Sequence, residues 1–255
     1  MHPRLKKHLK SLQAEYNYLC SRRPRKIFFD HIPKTGGSSL NSFIQGEYPI
    51  RRSYLIDGRW PQKDVERFLD LPSEVKSKFD FIRGHKANLL LDQITDDFLK
   101  IVVFREPVDR IVSHYYYAKE MPHHYLNKKI IDNDLSLKDY VNNSITPEVE
   151  NFYVCRFLQI QSNDARNLGI EAVDKAFNLI RNKYDIVGFT DKMSDFVSDV
   201  VSAANFTGKY SYVRSNQTKN RKKLSDIDDD TLNAIEMTNS LDIQLFKKLR
   251  EHYSS

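Results

Sequence analysis

Only two of the 255 residues are cysteine, Cys20 and Cys155, and their separation matches no metal-binding spacing. Two cysteines in a chain of this length make no disulfide framework, so both are read as free thiols. Tryptophan occurs once. No stretch approaches the roughly 20 consecutive apolar residues of a membrane span, and the N-terminus lacks the apolar core of a signal peptide. The expectation is a soluble protein, most simply cytoplasmic. Three Asn-x-Ser/Thr triplets, at Asn142, Asn205 and Asn216, arise often by chance and carry little weight without a secretory signal. No repeat, low-complexity tract or Pro/Gly/Ser-rich linker divides the chain. With 40% hydrophobic residues it can bury one substantial core. The reading is a basic N-terminal segment, 1–25, whose Lys, Arg and Leu have helical spacing, followed by one domain over 26–255.

What is abundant is positive charge. The formal net charge of +6 favours anionic partners: nucleotides, acidic glycans, nucleic acid or membrane headgroups. Interleaved aromatic and basic residues on a strand platform are not evident, nor is a recognised helix motif, so nucleic acid is not expected. Short runs rich in Phe, Ile and Val alternate with helical patterns. They predict strands at 26–31, 79–83, 100–105 and 185–189, with helices near 38–45, 107–119, 147–158, 170–182, 191–204 and 228–252, the last capped by Ser225. That rhythm predicts an α/β fold with a parallel sheet flanked by helices.

Ligands in such sheets sit at the carboxyl ends of strands, and three reactive groups, Lys34, His85 and Arg105, fall at predicted strand ends. The first lies in IPKTGGSSL, residues 32–40, where a strand should turn into a helix. Glycines let backbone N–H groups approach an anion, the helix N-terminus adds partial positive charge, and Lys34 adds a full one. An ordinary nucleoside-triphosphate loop reads GxxxxGK[ST]. Here the lysine precedes Gly36 and Gly37, and no acidic partner with metal-binding spacing follows, which leaves a P-loop kinase a minor alternative.

The order PKTGGSS followed by FREPVDRIVSHYYY resembles the sulfotransferases that use 3′-phosphoadenosine 5′-phosphosulfate (PAPS), most closely the carbohydrate group that includes the uronyl and heparan sulfate 2-O-sulfotransferases. FDFIRGHKANLL, ENFYVCRFL, YDIVGFTDKMSDFV and NQTKNRKKLSDIDDDTL also occur, in the order the family shows them. The resemblance implies a single-domain, P-loop-like (Rossmann-type) fold and O-sulfation, releasing 3′-phosphoadenosine 5′-phosphate (PAP), with no metal required. It implies that Lys34, Thr35, Gly36, Gly37, Ser38 and Ser39 surround the 5′-phosphosulfate. Arg105 and Ser113 would hold the 3′-phosphate, with Asn216, Thr218 and Arg221 as further cofactor contacts. A guanidinium suits that phosphate because it forms two parallel charge-assisted bonds.

A hydroxyl acceptor needs a base, and His85 in the RGH segment resembles the catalytic histidine of the 2-O group. Relatives often show HGH, whereas this chain has Arg83 in place of the first histidine. Glu47 and Asp30 are carboxylate alternatives. His31 is expected in a core or supporting role, and His114, His123 and His124 could line an acceptor cleft or lie on the surface. Arg51, Arg52, Arg59, Lys119, Lys128 and Lys129 would favour an acidic saccharide, and Trp60 and Tyr115 to Tyr117 could stack on sugar rings, unless these are ordinary solvated charges and core aromatics. A non-catalytic PAPS- or glycan-binding protein is the remaining alternative.

Overall fold

The computed structural model describes residues 12–16, 18–19, 24–206 and 220–253. These fall into two compact units, one within Met1–Phe104 and Lys183–Asn216, the other within Arg105–Asn182 and Gln217–Ser255.

The first unit is an α/β layer built on five parallel strands, β1 (Lys26–Asp30), β2 (Ser53–Ile56), β3 (Phe81–Gly84), β4 (Phe98–Phe104) and β5 (Ile186–Phe189), in the order β2-β3-β1-β4-β5. Four match predicted strands. β2 was not anticipated, because it is a four-residue edge strand with only Ile56 buried and so lacks an apolar run. The helix Pro61–Asp70 was also missed: its apolar stripe is narrow, with only Val65 and Phe68 buried among charged neighbours. One face of the sheet presents Ile27, Phe29, Phe81, Leu99, Ile101 and Val103. Leu40 and Ile44 from the helix Gly37–Ile44 pack there, with Phe196, Val197 and Val200 from the helix Met193–Ala203. Gly188 in β5 allows the close approach, since an added methyl would lie 2.1 Å from the Phe196 ring.

Register decides what emerges at the carboxyl edge. Asp30 pairs with Gly84, and Gly84 with Ile56, so β1, β3 and β2 end level with one another. The next residues, His31, His85 and Asp57, therefore leave neighbouring strands side by side. Gly84 has φ 139°, and a Cβ there would sit 2.2 Å from the Ile56 carbonyl oxygen, so only glycine can close β3 this way.

The second unit is helical. Pro107–Glu120 starts with Pro107 as predicted, and the Glu106 carboxylate caps it by accepting from Val108 N and Asp109 N at 3.0 and 2.7 Å. Its Ile111, Val112, Tyr115 and Ala118 pack with Tyr140, Val141 and Ile235. The single terminal helix expected over 228–252 is two, Asp229–Thr238 and Ser240–Tyr253. Between them Asn239 is fully buried and donates its side-chain amide to Val149 O at 2.8 Å, a tertiary bond that overrides the continuous helical period. The cap of the first is Asp228, which accepts from Thr231 N at 2.8 Å, rather than Ser225. The helix predicted from Pro147 begins at Phe152. There Asp242 accepts from Tyr153 N and Val154 N at 2.8 and 3.0 Å, while Asn151 accepts from Leu241 N at 3.0 Å. Each of these helices thus caps the other, at about 1 kcal/mol per cap. Burial pushes the Asp242 carboxyl up to about 6.

Candidate active site

In the first unit, β1 runs into the loop that carries Lys34. Thr35 is fully buried and donates its hydroxyl to Ile32 O at 2.9 Å, closing the loop on itself. Lys34 and Gly36 both take left-handed backbone angles, φ 68° and 76°. For glycine this costs little, whereas for lysine it stores on the order of 1 kcal/mol, of the kind that surrounding structure maintains at functional sites. Gly36 is the N-cap of the helix Gly37–Ile44, and no side chain caps that terminus. The first-turn N–H groups consequently have no side-chain acceptor at the cap. Gly37 is required for another reason. A Cβ there would lie 2.1 Å from the His31 ring.

His31 and His85 form the core of this cluster. Their rings stack at 4.5 Å with a 29° interplanar angle, and Phe29 stacks on the far side of His31 at 5.4 Å. His85 Nδ1 lies 2.9 Å from the His31 carbonyl oxygen. A carbonyl only accepts, so Nδ1 carries the proton and the lone pair is on Nε2, the arrangement a general base needs. His31 Nδ1 faces the Asn41 amide nitrogen at 3.1 Å and therefore accepts, which fixes its own tautomer. Gly58, on the loop after β2, packs close to the same ring: an added methyl would lie 2.6 Å from His85 Cδ2 and 3.3 Å from Nε2. Arg83 donates to Gln45 Oε1 at 3.2 Å, its guanidinium is 5.4 Å from the Phe81 ring, and burial lowers its pKa. It supplies no second imidazole, and its contacts are with the body of the unit.

In the second unit, Arg105 follows β4 directly. Its Nε lies 2.5 Å from Asp109 Oδ2, and Arg221 pairs with the other oxygen of the same carboxylate. One carboxylate thus holds two guanidiniums, leaving net positive charge. Burial and then the neighbouring Arg105 lower the Arg221 pKa to about 10. Arg221 Nε is buried without a hydrogen-bond partner among the described residues. Ser113 is buried in the same helix, one turn beyond Asp109 and on its face. Arg105 N and O exchange hydrogen bonds with the buried Tyr153 hydroxyl at 3.2 and 2.8 Å, which fixes the backbone from which the guanidinium extends.

The other candidates separate clearly. Asp30 is fully buried and accepts from Tyr184 Oη at 2.7 Å, a structural bond. Glu47 is 4% exposed, and burial raises its carboxyl. His114 is buried between Tyr140 Oη and Glu148, each 2.5 Å away, and so is not a surface histidine. Tyr115 is in the core. Arg51 pairs with Glu15 and Arg52 with buried Asp80. Ser38 and Ser39 lie in the first turn of the loop helix. Asn216 and Thr218 lie outside the described residues. Asp109, Asn41 and Gly58 were not anticipated. Only Asp109 had a sequence signal, its spacing of four from both Arg105 and Ser113. No group of three or more His, Cys, Asp or Glu that could hold a metal occurs among the described residues, and none of their helices is long and apolar enough to cross a membrane.

A family model described as the sulfotransferase family matches residues 17–249, nearly the whole chain. The chain belongs to the sulfotransferase family. It is therefore a sulfotransferase with the P-loop-like α/β fold of that family. No curated protein matches the chain. The narrower likeness to the 2-O group thus rests on the sequence motifs alone.

Proposed function

We propose that this sulfotransferase moves a sulfuryl group from PAPS to a hydroxyl, on a saccharide, with His85 as base and Lys34 stabilising the leaving phosphate. The observation that carries this reading is the His85 Nδ1 bond to the His31 carbonyl, which places the lone pair on Nε2. The residues present suit the donor. Gly36 turns the backbone at positive φ, Gly37 leaves room for the His31 ring where a Cβ would collide, and the loop helix has no N-cap side chain to compete with an anion. Arg105 and Arg221, already converged on one carboxylate, suit a dianionic 3′-phosphate, with the Ser113 hydroxyl as a further donor.

PAPS, when bound, supplies the sulfuryl group and a phosphate leaving group. His85 Nε2 takes the acceptor proton as the acceptor oxygen bonds to sulfur and the bridging S–O bond breaks. The electron pair of that bond ends on the phosphate oxygen, where the Lys34 ammonium and the first-turn N–H groups offset the charge. Thr35, Ser38 and Ser39 belong to the same cradle, and Asn216 and Thr218 are proposed as additional contacts. The reading is tested with radiolabelled PAPS and a panel of glycans, peptides and small hydroxyl compounds. Transfer to a saccharide that is lost in His85→Ala supports it, while transfer undiminished in His85→Ala removes the histidine from the mechanism.

A further inference from the structure

We propose that Asp57–Trp60, together with Lys63, is the acceptor platform beside His85, and that it takes a pyranose ring carrying a negative charge. This rests on the sulfuryl-transfer reading and names where the acceptor lies and what class it belongs to.

Position comes first. Ile56 and Gly84 are paired, so Asp57 and His85 leave adjacent strands level with one another, and the Gly58 backbone packs against the His85 ring on its Cδ2–Nε2 edge. Arg59 and Trp60 follow Gly58 directly in the chain. They are also held in place. Asp57 accepts from Arg59 N at 2.9 Å and from Arg59 Nη2 at 2.8 Å, and Asp57 N donates to Asp64 Oδ2 at 2.8 Å. The bonds from Arg59 keep the Asp57 carboxyl below its ordinary range. Trp60 is the N-cap residue of the helix Pro61–Asp70, which fixes its backbone from the other side. A rigid platform loses little freedom when a ligand settles on it.

Chemistry sets the class. Trp60 is 60% exposed although it is a large aromatic. Its indole face suits the C–H face of a pyranose, which is apolar on one side and polar at its rim. Lys63 Nζ lies 4.9 Å from the ring centroid, and among the described residues it has no carboxylate partner. The Arg59 side chain is 80% exposed beside it. An isolated exposed aromatic needs no explanation. One two residues beyond Gly58, whose backbone meets the candidate base, with an ammonium 4.9 Å from its ring, is arranged for a flat ring with an anionic substituent. Uronate carboxylate and sugar sulfate share this chemistry.

Trp60 is the only tryptophan in the chain, so its fluorescence reports on this surface alone. The PAP-loaded protein is titrated with a heparosan hexasaccharide, with a sulfated heparan hexasaccharide and with neutral maltohexaose, and transfer from PAPS is measured in parallel. The expected result is a saturable change in Trp60 emission with at least one anionic hexasaccharide, roughly fivefold tighter than with maltohexaose. Which anionic sugar binds tighter separates carboxylate from sulfate. Lys63→Ala, a surface change, should bring the anionic and neutral affinities together. Trp60→Ala should raise the acceptor KM about tenfold and leave kcat within about twofold. An unchanged emission with every sugar overturns the proposal, as does equal affinity for anionic and neutral sugars in the wild type. If PAPS transfer occurs while Trp60 is silent, the platform is wrong and the reaction stands. If Trp60 responds without transfer, the reaction is wrong and the platform stands.

Discussion

Around His85, orientation comes from backbone and ring contacts: a carbonyl on Nδ1, an imidazole stacked on the ring and a glycine backbone against its Cδ2–Nε2 edge. Around Arg105 it comes from charge, with one carboxylate drawing two guanidiniums together. The difference suits the proposed tasks. A base must present one lone pair in one direction, which neutral packing fixes without stabilising the charged form. An anion site needs surplus positive charge that is gathered before the ligand arrives, and a single internal counterion does that while leaving the balance positive.

Substitutions can break this comparison, and the largest effects are expected on the packed side. His85→Ala should lower kcat about 10²–10⁴-fold and abolish the fall of kcat/KM at acid pH, where the wild-type imidazole is protonated. Pre-steady-state transfer across a pH series checks it. Lys34→Ala should lower kcat about 10²–10³-fold and leave PAP affinity within severalfold, because the charge it offsets develops during transfer. Calorimetry beside kinetics separates the two. Gly37→Ala drives a methyl into the His31 ring, and a displaced His31 misplaces His85; turnover should fall about 10²-fold with the sheet intact by circular dichroism.

The charge-held side should respond in affinity. Arg105→Ala should weaken PAP binding about 10–100-fold and leave binding of adenosine 5′-phosphate, which lacks the 3′-phosphate, nearly unchanged. Equal loss for both ligands would move the 3′-phosphate elsewhere. Asp109→Asn is the mildest, about fivefold in PAP affinity, with the loss shrinking as salt rises. If Asp109→Asn instead matched His85→Ala in kcat, the division between the two regions would fail.

The same division explains what the sequence made legible. The strand-end positions of Lys34, the paired glycines, Arg105 and His85 were readable because each lies inside an apolar rhythm. Pro107 marked its helix because its missing N–H suits a first turn. Asn41 and Gly58 were not readable, because their roles depend on which strands end level, and that is set by pairing across 28 and 54 residues of sequence, in β2–β3 and β1–β3. β2 escaped for want of buried residues, and the break at Asn239 because its hydrogen bond to Val149 is remote in sequence. Trp60 was read as an aromatic that could stack on a sugar ring. That it follows a backbone packed on His85 is a consequence of register.

The central claim is that this chain transfers a sulfuryl group from PAPS. It is tested most directly by incubating wild type and Lys34→Ala with radiolabelled PAPS and an acidic oligosaccharide, and measuring labelled sugar and PAP together. The account predicts one PAP released per sulfated sugar in the wild type, and at least about 10²-fold less of both in Lys34→Ala. Tight PAPS binding without labelled product in the wild type, or equal transfer by the two proteins, would contradict it.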